Sequence, residues 1–313
     1  MNERNKGTTI LLGVLKYTFI FLCAMGIAAA ISLRTMELAG VRYTAVSWDD
    51  LTYRISGLEQ QMDILNADTR LEEIQESTRS SLYGKKIVYD GDSIAESRGN
   101  NGGGYAAQIA RITGSTYENF AKGGARLTLN DNTHSVVNNL ENLPEDGDLY
   151  CFEGGINDFW SNTPIGYCDP ADYTGELDLY TICGAMEHIF RYCQDNLPGK
   201  PVCFVITHKI QSTAFSPNGI GNTFTEYRNA MVEVCEKYSI PYYDAFNESG
   251  LNGRNTTLSE LFLNANAEGI ADGCHPNEEG YKRYYVPQLL DLFEKIMPVD
   301  QKINNRQSNL PVF

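Results

Sequence analysis

The sequence predicts an α/β fold built on a mostly parallel five-stranded sheet, and two observations carry that prediction. From Lys85 onward five short apolar runs recur: KKIVYDG (85–91), STYENFA (115–121), DLYCFEGG (148–155), PVCFVITH (201–208) and IPYYDAF (240–246). Stretches of helical periodicity separate them. Strand and helix in alternation produce a parallel sheet with helices on both faces, because each parallel connection needs a crossover long enough to hold one. The candidate helices lie near 104–113, 131–142, 176–196 and 223–238, with a last one over 277–296. Pro287 is expected to kink or divide that last helix, since proline supplies no N–H and crowds the preceding turn.

The amino-terminal quarter follows another pattern. Residues 8–33, TTILLGVLKYTFIFLCAMGIAAAISL, carry Lys16 as their only charge, and that length spans a bilayer. Arg4 and Lys6 precede the segment, which favours residues 1–7 as a short cytoplasmic tail and an exported body. The favoured reading is an uncleaved, single-pass membrane anchor with the catalytic domain outside. The rival is a signal peptide cleaved near Ala28–Ala30, giving a secreted protein. The apolar run is long for a signal peptide. Residues 34–84 read as a helical spacer, in which Leu51, Ile55, Leu58, Met62 and Leu65 fall at alternating spacings of four and three. A seam of about two heptads is short, so residues 51–65 offer at most weak self-association. Residues 298–313 form a polar tail, which leaves 85–297 as the globular domain.

Composition narrows the function classes. With 42% hydrophobic and 21% charged residues, the chain has the balance of a folded protein. Its formal net charge of −15 argues against nucleic acid as a partner, because phosphate binding needs clustered Lys and Arg. Eight cysteines are present, none in a CxxC pair, so zinc-ribbon and thioredoxin readings have no support. Cys168 and Cys183 flank a polar segment and are placed to form a disulfide if the domain is exported. The GNNGGGY stretch (99–105) lacks the GK[ST] ending of a phosphate loop and reads instead as an entrance or helix lead-in.

In a doubly covered parallel sheet, functional groups gather beyond the carboxyl ends of the strands. After the first run comes GDSIAES with Ser93. After the second comes NFAKGGARL with Gly123 and Gly124, and after the third EGGINDFW with Asn157 and Asp158. A late loop holds DGCHPNEEG with Asp272 and His275. A serine hydroxyl needs a base to become nucleophilic at neutral pH, and histidine suits that role. Asp272, three residues before His275, is placed to reach back to the imidazole and fix its tautomer. Asn157 offers a side-chain amide, and Gly124 a backbone N–H, to a tetrahedral oxyanion. Of the other histidines, His188 lies in a helical pattern and reads as structural, and His134 as exposed. His208, after the fourth run, is a candidate for the pocket rim. Asp92 reads as a turn-capping residue and Asp158 as a brace for the Asn157 loop. Phe159 and Trp160 are open between core and a substrate-stacking wall.

In order, GDSI, NFAKGGA, GGIND and DGCHP resemble the blocks of the SGNH (GDSL-type) esterase and lipase superfamily, over about residues 85–297. The resemblance implies a flavodoxin-like three-layer α/β/α sandwich with a Ser-His-Asp triad and neither metal nor cofactor. By position, Ser93 resembles the nucleophile and, through its N–H, an oxyanion donor. Gly124 and Asn157 resemble the other two donors, His275 the base and Asp272 its orienting acid. Ile94 replaces the leucine of GDSL, Ala121 stands where many members carry glycine, and Cys274 precedes the base. The resulting expectation is an exported, membrane-anchored serine esterase acting on short acyl esters, with O-acetyl groups on carbohydrate or cell-envelope polymers as first choice. Lysophospholipid or another short-chain ester is the runner-up, and an O-acyltransferase would use the same residues. A catalytically silent surface binding protein is the reading from another class; it leaves the retention of Ser93, Asn157, Asp272 and His275 without a reason.

Overall fold

A computed structural model of the chain describes residues 80–297, apart from 101–102, 131–133, 212–215 and 267, together with residues 23, 25–27 and 58. Contacts divide the chain into two units, Met1–Thr78 and Arg79–Phe313. Most of the predicted membrane segment 8–33 lies outside the described residues. So do the 51–65 seam, apart from Leu58, and the 298–313 tail. Among the described residues no helix is long and apolar enough to cross a membrane.

All five apolar runs are strands: β1 (Lys86–Asp90), β2 (Thr116–Asn119), β3 (Leu149–Gly154), β4 (Val202–Ile206) and β5 (Tyr242–Asp244). They form one sheet in the order β2-β1-β3-β4-β5, and every neighbouring pair is parallel. Alternate side chains of a strand point to opposite faces, and here both faces are dry. Val88, Tyr150, Phe152, Phe204 and Ile206 join one core. Ile87, Tyr89, Leu149, Cys151, Cys203 and Val205 join the other. A sheet buried on both faces therefore reads as continuous apolar runs in the sequence.

Helices cover the two cores. On one side α4 (Ile182–Asn196) and α5 (Phe224–Lys237) pack with the short α2 (Val136–Asn139). On the other lie α1 (Tyr105–Thr113), α8 (Glu278–Tyr284) and α9 (Val286–Ile296). Three short helices complete the set: α3 (Ile156–Trp160), α6 (Ala245–Glu248) and α7 (Thr256–Phe262). Thr223 and Glu226 close a capping box at the start of α5, satisfying N–H groups that a helix end leaves open. The predicted 277–296 helix is divided between Tyr284 and Val286, with Pro287 in the first turn of α9. Proline is tolerated there because first-turn N–H groups have no intrahelical acceptor. The helix expected over 131–142 is shorter, with α2 followed by one 3₁₀ turn, Leu140–Asn142.

Two further differences bear on the site. Asp272 and His275 lie not in an open loop but in β7 (Ala271–Pro276), which pairs antiparallel with β6 (Leu263–Ala265). Cys168 and Cys183 are buried free thiols, pushed up to about 11 and about 12 by burial. Both belong to the α4–α5 core.

Candidate active site

The chain changes direction across the sheet between β1 and β3, since β2 lies on one side of β1 while β3 to β5 extend on the other. Crevices at such a switch point are where open α/β sheets bind ligands. Ser93 follows β1 and Asn157 follows β3, so the two segments flank it.

The Ser93 turn is held from several directions. Asp92 accepts the Ile94 N–H through Oδ1 at 2.8 Å, and the Glu96 N–H closes onto the Asp92 carbonyl at 2.9 Å. Asn119, at the end of β2, donates to the Ala95 carbonyl at 2.8 Å. The Tyr281 hydroxyl donates to the Ile94 carbonyl at 2.8 Å. Gly91 admits no side chain, because a Cβ there would meet the Glu153 carbonyl oxygen at 2.5 Å. The turn thus sits tight against β3, and Ser93 is only 6% exposed.

His275 meets Ser93 from the hairpin side. Its Nε2 lies 2.8 Å from Ser93 Oγ, and its Nδ1 lies 2.7 Å from Asp272 Oδ2. The other Asp272 oxygen accepts the backbone N–H groups of Cys274 and His275, both at 2.9 Å. Burial pushes the Asp272 carboxyl up, but the His275 ring and these two N–H donors outweigh it and hold it below the usual range. Asp272 is therefore an anion at neutral pH. Asn264 and Asn100 donate to the Pro276 carbonyl at 3.3 and 2.8 Å, and Asn264 also to that of Arg98 at 2.9 Å. These bonds dock the hairpin onto the Ser93 turn.

Residues 122–125 form a turn beside Ser93. The Ala125 N–H closes onto the Lys122 carbonyl at 2.9 Å, and Gly124 takes φ +81°, a conformation natural to glycine at the third position of such a turn. A Cβ on Gly123 would lie 3.8 Å from Ser93 Cβ, whereas one on Gly124 would face open space. Among the described residues neither the Ser93 nor the Gly124 N–H donates to another backbone group. Asn157 donates one amide hydrogen to the Ala125 carbonyl at 2.9 Å, and a primary amide carries a second. Asp158 braces the same segment: it accepts the Leu127 and Thr128 N–H groups at 2.9 and 3.2 Å and the Thr128 hydroxyl at 2.7 Å. Ser93, His275 and Asp272 thus form one hydrogen-bonded chain, while the Gly123–Gly124 turn lies beside Ser93 and Asn157 is bonded to that turn through Ala125.

Other predicted positions fall elsewhere. His208 is fully buried rather than at a rim, with Nδ1 2.7 Å from the Tyr285 hydroxyl, and burial lowers it to about 3. Phe159 is core, packed edge-on against Phe224 and Tyr227, while Trp160 is 42% exposed. Gly104 leads into α1 as its N-cap. Sequence reasoning missed Glu153, a buried acid behind the Ser93 turn; its one signal is a glutamate inside the apolar run DLYCFEGG.

The profile of the GDSL-like Lipase/Acylhydrolase family matches residues 91–283. The chain belongs to this family. An ester-bond hydrolase is accordingly what it is. No curated protein matches the chain. A solved structure 25% identical superposes with a TM-score of 0.60, over 70% of this chain and 100% of its own. A protein from Lactobacillus plantarum is 20% identical with a TM-score of 0.56, over 73% and 99%. A possible lipase from Chitinophaga pinensis is 18% identical with a TM-score of 0.54, over 67% and 98%. The last two likenesses speak for the fold alone.

Asp272→Asn replaces an acceptor that fixes the proton on His275 Nδ1 with an amide that can donate there. It is expected to lower kcat by about 10²- to 10⁴-fold with little change in the folded state. Steady-state ester hydrolysis together with far-ultraviolet circular dichroism checks both halves.

Proposed function

We propose that this hydrolase is a serine esterase using Ser93, His275 and Asp272 as its triad. The relay of 2.8 Å from Ser93 Oγ to His275 Nε2 and 2.7 Å from His275 Nδ1 to Asp272 Oδ2 carries this reading. His275 Nε2 takes the serine proton as Oγ attacks the ester carbonyl, and the Asp272 carboxylate stabilises the resulting imidazolium. The carbonyl oxygen becomes an oxyanion that the Ser93 N–H, the Gly124 N–H and the Asn157 amide receive. His275 returns the proton to the departing alcohol, leaving an acyl-serine. Water, deprotonated by the same imidazole, then releases the acid. Short acyl groups are the substrates proposed, with O-acetyl esters of carbohydrate or cell-envelope polymers first. The apolar segment 8–33 and the basic residues Arg4 and Lys6 support an anchored enzyme facing outward, where such polymers are found.

Ser93→Ala is expected to reduce kcat/KM for p-nitrophenyl acetate by at least about 10³-fold, and activity should fall as the acyl chain lengthens. Retained activity in Ser93→Ala contradicts the nucleophile assignment. Faster turnover of long-chain than of acetyl esters contradicts the substrate assignment. For location, the full-length chain should sediment with membranes and resist alkaline extraction. A soluble chain beginning near residue 31 would instead mark signal cleavage.

A further inference from the structure

Behind the nucleophile lies a pair of acids that the triad does not use. Asp92 precedes Ser93, and Glu153 stands in β3, two residues before Gly155. They are 0% and 1% exposed. Strand register brings their segments together, since Asp90 pairs with Phe152, which sets the next residues, Gly91 and Glu153, side by side. The two carboxyl groups lie close enough for each to act on the other. Each has one oxygen otherwise served: Asp92 Oδ1 by the Ile94 N–H at 2.8 Å, and Glu153 Oε1 by the Thr207 hydroxyl at 2.6 Å. The remaining oxygens, Asp92 Oδ2 and Glu153 Oε2, meet no N–H or hydroxyl donor.

Two buried carboxylates cannot face each other with both charges intact, because neither is solvated and like charges repel. One proton between them removes the conflict and supplies the missing donor. We propose that Glu153 is a positioning residue that shares one buried proton with Asp92, and so ties the turn carrying Ser93 to the strand end that leads to Asn157. The nucleophile and an oxyanion donor are then set relative to each other by one carboxylic acid–carboxylate hydrogen bond.

Glu153 is the member that keeps the proton. Burial, then the Asp92 carboxylate, push its carboxyl well above the usual range, against the Thr207 hydroxyl and the nearby Ala95 N–H. Burial also raises Asp92, but the Ile94 N–H and the field of His275 favour its anion. The titratable groups facing the pair are Tyr105 from α1, Asp158 from α3, Cys274 and His275 from β7, Tyr281 from α8, and Tyr285 at the α8–α9 junction. Among the described residues, no lysine or arginine ranks with the groups that act most strongly on either acid. The residual negative charge sits on Asp92.

The positioning role rests on the triad reading, whereas the proton itself does not, and the test separates them. Infrared spectra of the full-length protein at pH 8 should contain a protonated-carboxyl C=O band that Glu153→Gln removes. A band absent from the wild type, or unchanged in Glu153→Gln, overturns the proposal whether or not the protein hydrolyses esters. In kinetics, Glu153→Leu should lower kcat at least about 10-fold, with KM within about twofold. Glu153→Gln, whose amide can donate to Asp92 and accept from Thr207, should recover most of that loss. Equal kcat in the two variants overturns the positioning role. If neither variant folds, Asp92→Asn decides: the acid band of Glu153 should shift or vanish once its carboxylate partner is gone, and a band unmoved from the wild type refutes the shared proton.

Discussion

A parallel sheet buried on both faces leaves polar chemistry one outlet, the carboxyl ends of its strands. Everything at this site follows from that constraint. Ile87 to Tyr89, Leu149 to Phe152 and Cys203 to Ile206 are consumed by the two cores. The first residues free to differ are those just past them, where Asp92, Ser93, Glu153 and Asn157 occur. Gly91 opens the Ser93 turn because a Cβ there would meet the Glu153 carbonyl oxygen.

On that edge the site is assembled from three separately anchored pieces. The Ser93 turn is pinned by Asn119 and Tyr281, the Gly124 segment by Asp158 and Asn157, and the His275 hairpin by Asn264 and Asn100. Each anchor is a side chain bonded to backbone of another segment, so it fixes a chain path rather than a single atom. Preorganised donors contribute most when they need not move during reaction.

Much of this was legible in the sequence because the determining patterns are local. Continuous apolar runs mark strands buried on both faces, and Pro287 marks the break between α8 and α9. Ser93, Gly124, Asn157, Asp272 and His275 each stand directly past a strand or in a short block of fixed spacing. What was not legible depends on contacts distant in sequence. DGCHP reads as a loop because Gly and Pro bracket it; its strand character comes from pairing with Leu263–Ala265, which no local pattern announces. His208 offers the same local appearance whether it lines a pocket or, as here, bonds Tyr285 in the interior. Glu153 passes as an interruption of an apolar run until the register sets it beside Gly91, next to Asp92.

In the proposed mechanism Ser93 Oγ is the atom that carries the acyl group. Incubating the full-length protein with a fluorophosphonate, then digesting it and mapping the adduct by mass spectrometry, tests this most directly. A single modified peptide containing Ser93, with labelling slowed in His275→Gln and abolished in Ser93→Ala, is the predicted result. Labelling at another residue, or undiminished labelling in Ser93→Ala, would contradict it.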